Sequence, residues 1–218
     1  MKRVKIVSAR NVILEDFVAE EPKEDQVRLK ISHCGICGSD IHAYFNEHPF
    51  VKLPAVPGHE CSGIVEKLGT NVTNLKIGQP VTFIPQLTCG KCYNCRNGRY
   101  NICDNLKVIG AQADGAMAEL FNVDAKLLLP LPEKMDLRDA ALIEPLAVAV
   151  HAVKLAGNIL GGNVLVLGAG TIGLFLTQVA KAAGASKVLT TDIFDFRLET
   201  ARKLGAEYVI NSRKASLT

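Results

Sequence analysis

Four cysteines are concentrated in one short segment of the chain, which reads CGKCYNCRNGRYNIC. The first three are separated by two residues each, and the fourth follows after seven more. Thiolates at this density, in a loop that also contains Gly and Asn, suit the four corners of a Zn²⁺ tetrahedron. The segment therefore predicts a structural zinc held by Cys89, Cys92, Cys95 and Cys103.

A second set of metal-binding residue types lies upstream. Residues 34–42 read CGICGSDIH and residues 58–60 read GHE. A cysteine, a histidine and a carboxylate drawn from separate segments are the ligand types of a catalytic zinc that keeps one coordination position open. These two segments therefore predict a second zinc, of a different kind from the first.

A glycine-rich segment, GAGTIG, fits the dinucleotide-binding pattern G-x-G-x-x-G. It directly follows a predicted buried strand and opens a predicted helix, which is the context that makes this pattern informative. Gly168 permits the tight turn, Gly170 allows the close approach of a pyrophosphate, and Gly173 lets the helix pack against the strand. Free N–H groups at the helix start, including those of Thr171 and Ile172, would hold the phosphates.

An acidic residue follows this segment at the distance expected for ribose recognition. Asp192 lies nineteen residues beyond Gly173, at the end of the next predicted strand. A carboxylate there can accept hydrogen bonds from the adenosine ribose and disfavours a 2′-phosphate, so we expect NAD rather than NADP. The alternative is a carboxylate that only caps the next helix. Arg197 either stacks on adenine or is a solvated residue on a helix face.

The predicted elements change character near residue 150. Before it, short strands at 27–31, 63–65 and 81–84 are bounded by Gly or Pro, and 140–156 is rich in Ala and Leu, as in a helix. After it, an apolar strand ending at Leu167, a helix over 174–183, a strand over 187–191, a helix over 197–204 and a strand over 208–210 follow in turn. This β-α-β-α-β order predicts an α/β fold with a parallel sheet.

Composition excludes several classes of protein. The chain is 48% hydrophobic and 22% charged, which is ordinary for a globular protein with a substantial core. Its net charge of +3 is spread along the sequence, and scattered Lys91, Arg96 and Arg99 near the cysteines do not make a nucleic-acid surface. No apolar stretch is long enough to span a membrane and no signal peptide is recognisable, so we expect a cytoplasmic protein with no membrane partner.

The motifs together resemble those of the zinc-containing medium-chain alcohol/polyol dehydrogenases, most closely the branch of the sorbitol and threonine dehydrogenases. GICGSDIH, PGHE, the four-cysteine loop and GAGTIG occur in the family's order and spacing. The resemblance implies a β-rich GroES-like catalytic domain over residues 1–150 and a partial Rossmann NAD-binding domain over 151–218. It also implies a homo-oligomer that oxidises a small alcohol.

The resemblance assigns site residues by position. Cys37 and His59 match the catalytic-zinc ligands, and either Glu60 or Glu144 would complete the protein ligands. Ser39 and His42 match the hydroxyl and imidazole that relay the proton, while His33, His48 and His151 match no such position and are expected to be structural or surface residues. The expected reaction transfers a hydride from a secondary alcohol, such as a polyol, a sugar alcohol or a threonine-like substrate, to NAD.

The chain ends just after the third predicted strand of the dinucleotide-binding fold. A six-stranded doubly wound sheet would need roughly 80–90 further residues. We therefore expect a fragment, a truncated chain or a protein that relies on a partner, with its first strand as an apolar sheet edge. The alternative function is a non-catalytic module that binds zinc and nucleotide.

Overall fold

The computed structural model describes residues 1–215 and divides into two compact units, Met1–Glu144 and Pro145–Thr218. A helix, Ile143–Leu155, begins at the end of the first unit. The domain boundary predicted at residue 150 falls within this helix. Each unit has its own sheet and hydrophobic core.

The first unit is rich in short strands, as its Gly- and Pro-bounded segments predict. Its strands and helices in chain order are β1 Lys2–Ser8, β2 Asn11–Asp16, β3 Gln26–Cys34, α1 Gly38–Tyr44, β4 Cys61–Leu68, β5 Pro80–Phe83, β6 Gln86–Leu87, α2 Tyr93–Arg96, β7 Lys107–Val108, β8 Leu120–Asp124, β9 Leu128–Pro130 and α3 Leu137–Ala140. Five of the strands form an antiparallel sheet in the order β8-β3-β4-β5-β9.

The core of this sheet comes from alternate residues of its central strands. Val27 and Leu29 of β3, Val65 of β4 and Val81 of β5 are at most 1% exposed. Burying one face of an antiparallel sheet in this way fixes the register of each strand, because a slip by one residue would turn its apolar side chains to solvent. The ends of β3 and β4 are therefore held at fixed positions.

The second unit is a parallel α/β layer. After the helix Ile143–Leu155, here α4, come β10 Asn163–Leu167, α5 Thr171–Ala182, β11 Lys187–Asp192, α6 Asp195–Lys203 and β12 Tyr208–Asn211. The strands pair in parallel in the order β10-β11-β12. This confirms the predicted β-α-β-α-β order and the α/β fold class.

The helices α5 and α6 cover the same face of the three-stranded sheet. Val166, Val188 and Val209 point to that face and pack among the helix side chains. Leu165 and Leu167 of β10 alternate to the other face, where they are 55% and 72% exposed within this structure. The continuous apolar run of β10 is that of a strand built to be covered on both faces, and β10 lies at a sheet edge, as predicted.

Across residues 1–215, none of the helices combines the length and the apolar character that a bilayer crossing requires.

Candidate metal centres and dinucleotide site

The first candidate metal centre lies where β3 ends and β4 begins. The N–H of Gly35, just after β3, donates to the carbonyl of Glu60, just before β4, at 2.7 Å. Cys37 is the N-terminal cap of α1, and its N–H donates to Asp40 Oδ2 at 2.9 Å. The cap and the sheet together bring the two predicted ligand segments to one place.

Three predicted ligands meet there. Cys37, His59 and Glu60 each offer a ligand atom, and these atoms all lie within 4.8 Å of one another. Gly58, the residue before His59, has φ +107°, and a Cβ at this position would lie 2.6 Å from the backbone nitrogen of Met117. A glycine is therefore required for the chain to turn His59 into the group.

The environment of this group suits a cation. His59 Nδ1 is buried and has no hydrogen-bond partner. Burial lowers the pKa of His59, but the Cys37 thiol and the charge of Asp40 outweigh that effect and raise the pKa to about 9. A carboxyl group and a thiol grouped with an unpaired imidazole nitrogen are a donor set that Zn²⁺ accepts. The residues therefore fit the metal that the sequence predicts.

Glu144 lies near this group but is not one of its three members. Burial raises the pKa of Glu144; the charge of His59 lowers it and that of Glu60 raises it. Glu144 is therefore close enough to act on both charges. In the described structure, Glu60 is the carboxylate grouped with Cys37 and His59.

Asp40 is a functional candidate that the sequence reasoning missed. It is 7% exposed, and its Oδ1 lies 4.0 Å from His59 Nδ1. Burial raises its pKa, whereas the N–H groups of Cys37 and Gly58 oppose that rise. Its position three residues after the capping residue Cys37 is that of a capping box, which is the sequence signal that could have identified it.

The two predicted relay residues occupy α1. Ser39 lines a cavity of about 390 Å³ together with His59. His42 lies three residues further along the helix and therefore on the same side. Its imidazole is 65% exposed, and Nδ1 lies 3.8 Å from Glu47 Oε2. Ser39 thus borders the cavity, and His42 on the same helix is exposed to solvent. His48, expected to be structural or at the surface, also lines this cavity.

The four-cysteine loop forms the second candidate metal centre. The ligand atoms of Cys89, Cys92, Cys95 and Cys103 all lie within 4.8 Å of one another. Cys92 Sγ accepts the N–H of Cys95 at 3.4 Å, and Cys103 Sγ accepts the N–H of Cys89 at 3.3 Å.

The loop favours the thiolate form of Cys89 and disfavours that of Cys95. Hydrogen bonds from the N–H groups of Lys91 and Cys92 lower the pKa of Cys89 to about 6. Burial and the neighbouring thiols raise the pKa of Cys95 to about 12. Four thiolates this close repel one another unless a cation lies between them, so this group also fits Zn²⁺.

The glycine-rich segment lies between β10 and α5, as predicted. Gly168 has φ +94°, and a Cβ on Gly173 would overlap the carbonyl of Gly168, so neither position accepts a side chain. A Cβ on Gly170 would meet nothing within 4 Å, which leaves open space at the start of α5. Gly170 caps α5 without a side-chain hydrogen bond, so the N–H groups of Thr171 and Ile172 face that space unshielded by a cap. This space suits a phosphate.

Asp192 ends β11 and fastens the glycine-rich loop. Its Oδ2 accepts the N–H of Ala169 at 2.8 Å, and Oδ1 accepts those of Ile193 and Phe194 at 2.8 and 2.9 Å. Burial raises the pKa of Asp192, but these N–H donors and Arg197 outweigh it and lower the pKa. The carboxylate therefore stays charged and binds backbone N–H groups that precede α6. It does not cap that helix, whose N-terminal cap is Phe194, without a side-chain hydrogen bond.

The guanidinium of Arg197 contacts neighbouring side chains in the structure. It lies 3.7 Å from Asp192 Oδ2 and over the rings of Phe194 and Phe196, at 5.0 and 5.7 Å from their centroids. The predicted contact between Arg197 and an adenine ring stays a prediction.

The fold and the two cation-suited groups are those of the zinc-binding dehydrogenase family. Residues 23–133 match the alcohol dehydrogenase GroES-like domain, and residues 171–218 match the zinc-binding dehydrogenase family. The chain belongs to the family of zinc-containing alcohol and polyol dehydrogenases.

Individual relatives agree with this assignment. The sorbitol dehydrogenase of Bacillus subtilis is 34% identical over 98% of this chain, which corresponds to 62% of that protein. A structure described as a zinc-binding dehydrogenase of Sinorhizobium meliloti bound to NADP is 35% identical, with a TM-score of 0.94 over 99% of this chain and 63% of the other.

An alcohol dehydrogenase of Escherichia coli, rspB, complexed with NADH is 35% identical, with a TM-score of 0.92 over 100% of this chain and 63% of the other. The chain thus spans less than two thirds of the length of these relatives.

Proposed function

We propose that this chain carries the catalytic zinc site and the dinucleotide loop of an NAD-dependent dehydrogenase that oxidises a secondary alcohol, such as a polyol, a sugar alcohol or a threonine-like substrate. Cys37, His59 and Glu60 would hold the catalytic zinc, and Cys89, Cys92, Cys95 and Cys103 the structural zinc. One observation carries the proposal. Three candidate ligands from two separate segments lie together beside a cavity that Ser39 also lines.

The number of protein ligands and the charge around them support a catalytic role for this zinc rather than a purely structural one. Three protein ligands leave a fourth position open, in contrast to the closed set of four thiolates. A zinc ion bound there would act as a Lewis acid and lower the pKa of an alcohol hydroxyl. Glu144 and Asp40 add negative charge close to His59 and would orient and balance the ligands.

The proton released by the alcohol would leave along α1. Ser39 Oγ is the hydroxyl of this helix that borders the cavity, so it would accept the proton. The exposed His42 imidazole, on the same side of the helix, would pass it to solvent. The hydride chemistry belongs to the nicotinamide cofactor, and the chain contributes its binding.

The choice of NAD over NADP rests on Asp192. Its carboxylate is kept charged by three backbone N–H groups and Arg197. A 2′-phosphate brought to the end of β11 would meet this negative charge, whereas a ribose hydroxyl could donate to it. The relative from Sinorhizobium meliloti binds NADP and that from Escherichia coli binds NADH, so the preference must be measured on this chain.

A second candidate function is a module that binds zinc and nucleotide without turnover. This chain matches 62% of the sorbitol dehydrogenase of Bacillus subtilis, and that part includes the metal ligands and the glycine-rich loop that such a module would need. The two functions share the metal ligands and the glycine-rich loop. They differ in whether Ser39 moves a proton.

The test is NAD reduction by the zinc-loaded chain with a panel of polyols and secondary alcohols, beside NAD binding by calorimetry. We expect Cys37→Ser and His59→Ala to abolish turnover. Ser39→Ala should lower kcat at least about 100-fold, the usual contribution of a positioned proton acceptor. Ser32→Ala is the matched control, because Ser32 is exposed on β3.

The outcomes separate the two functions. Turnover that depends on Ser39 supports the dehydrogenase. NAD and zinc binding with no turnover of any alcohol supports the module. Turnover that survives both Cys37→Ser and His59→Ala refutes the assignment of the catalytic site.

A further inference from the structure

The cavity beside the candidate catalytic site is lined by both polar and apolar side chains. Its volume of about 390 Å³ lies within the usual range for small-ligand pockets, about 300–1,000 Å³. The apolar side chains that line it are Phe50, Leu106, Val108 and Ala111. The polar side chains that line it are Ser39, His48, His59 and Gln112.

The side chain of Gln112 stabilises the wall of the cavity. Its Oε1 accepts the N–H of Val108 at 2.8 Å, and its Nε2 donates to the carbonyl of Phe50 at 3.3 Å. Because both ends of the amide bind backbone, Gln112 fixes the segment around Phe50 against the loop after β7. Ser39 and His59 already have the roles proposed above. His48 is the remaining polar side chain among the described lining residues.

Backbone contacts fix which nitrogen of His48 is a donor. The N–H of Phe50 donates to His48 Nδ1 at 3.2 Å. A neutral imidazole that accepts at Nδ1 carries its proton on Nε2. The ring is half-buried and packs edge-to-face against Phe50, with centroids 6.2 Å apart. His48 therefore has a restrained ring and an Nε2–H for which the described residues supply no acceptor.

The ring also lies close to the metal-binding group. His48 and His59 line the same cavity, and Asp40 Oδ1 lies 4.0 Å from His59 Nδ1. No Lys, Arg, Asp or Glu is among the described residues lining the cavity. Apart from a zinc ion held at His59, the cavity thus offers the neutral Nε2–H of His48 and no charged side chain of the described lining that would pair with a phosphate or a carboxylate.

We propose that His48 is a specificity-determining residue, which donates a hydrogen bond from Nε2 to the hydroxyl next to the one that is oxidised. This inference rests on the proposed dehydrogenase function and narrows its substrate to a neutral vicinal diol. The apolar side chains of the cavity then contact the carbon chain of the diol. A monohydric alcohol, by contrast, leaves the Nε2–H of His48 without an acceptor.

The test compares 2,3-butanediol with 2-butanol as ligands of the zinc-loaded, full 218-residue chain. Affinities come from titrations of ¹⁵N-labelled imidazole and backbone resonances, so the measurement does not need turnover. Long-range ¹H–¹⁵N spectra of the free protein should report His48 as the Nε2–H tautomer. Two variants are compared, His48→Leu, which removes the donor, and His48→Gln, which keeps an N–H at a similar reach.

We expect His48→Leu to bind 2,3-butanediol about 3- to 10-fold more weakly, the loss of one net hydrogen bond, with unchanged affinity for 2-butanol. His48→Gln should recover most of that loss. His33→Leu, which alters an exposed histidine of β3, should change neither affinity.

Equal binding of the diol by wild type and His48→Leu would overturn the proposal. So would an equal loss of both ligands in His48→Leu, or no measurable binding of the diol by wild type. NAD reduction measured in parallel keeps the two proposals distinct. If the wild-type chain shows no turnover but its affinity for the diol still depends on His48, the proposed dehydrogenase activity is refuted. The role of His48 in substrate specificity is then kept.

Discussion

Replacing Asp192 with Asn tests how the dinucleotide loop is held. The substitution keeps the shape of the side chain but removes its charge and one acceptor oxygen. In the native structure the two carboxylate oxygens together accept three backbone N–H groups, from Ala169, Ile193 and Phe194. The best orientation of the amide keeps its oxygen on Ile193 and Phe194, which sets its NH₂ against the N–H of Ala169.

The cost follows from this geometry. At least one hydrogen bond to a charged acceptor is lost, and each is worth about 1.5–3 kcal/mol. Two donors then face each other at a buried position, since Ala169 is 1% exposed and Asp192 is 8% exposed. We therefore expect Asp192→Asn to lower the free energy of unfolding of the second unit by about 2–4 kcal/mol.

The difference should depend on pH in a defined direction. The folded-state pKa of Asp192 is lowered from its ordinary value, so the unfolded chain binds the proton more tightly. The stabilisation is then full above the unfolded pKa of about 3.9 and is lost as pH falls through the lower folded pKa. Urea unfolding followed by circular dichroism at pH 7 and at decreasing pH measures both effects. A variant within 0.5 kcal/mol of wild type at pH 7, about the ordinary scatter of surface substitutions, would refute the reasoning.

Three further substitutions test the glycine-rich loop and the two metal centres. Gly173→Ala should destabilise the second unit by about 1–3 kcal/mol and weaken NAD binding, because the new Cβ overlaps the carbonyl of Gly168; unchanged urea unfolding would contradict this. Glu60→Gln should lower the affinity of the catalytic zinc about 10-fold or more, whereas Glu144→Gln should lower it less; equal effects in competitive chelator titrations would argue against Glu60 as the third ligand. Cys103→Ser should remove one zinc per chain and lower the Tm, and elemental analysis with calorimetry checks both.

The sequence predicts the second unit well because its signals are local. The order of strands and helices is confirmed, since an apolar run followed by the glycine-rich pattern leaves few alternatives. The start of α5 was predicted too late, at residue 174 rather than Thr171. Its first turn belongs to the glycine-rich segment itself, where the helix begins directly after Gly170.

The helix predicted over 140–156 is α4, Ile143–Leu155, which begins a few residues later than predicted. Helix α3 ends at Ala140, and α4 begins at Ile143. Pro145 has no N–H to donate to the carbonyl of Ala141, and its ring would clash with that carbonyl in a continuous helix. The sequence indicates that this proline lies near a helix start. The separate turn before it depends on packing, which the sequence pattern does not show.

The sequence predicts the candidate zinc ligands but not the side chains that surround them. Cys37, His59 and Glu60 are brought together as expected, whereas the choice between Glu60 and Glu144 needed coordinates. Asp40 has a local signal, the capping box with Cys37, that could have identified it. The place of His48 in the cavity arises from contacts between segments far apart in sequence. Such contacts leave no regular spacing for a sequence pattern to detect.

The measurement that tests the central claim most directly is the zinc content of the purified chain and of His59→Ala, by plasma mass spectrometry on folded protein. Convergence of Cys37, His59 and Glu60 on one metal, beside a separate four-cysteine site, predicts two zinc ions per chain in wild type and one in His59→Ala. One zinc in the wild type, or two retained in His59→Ala, would contradict it.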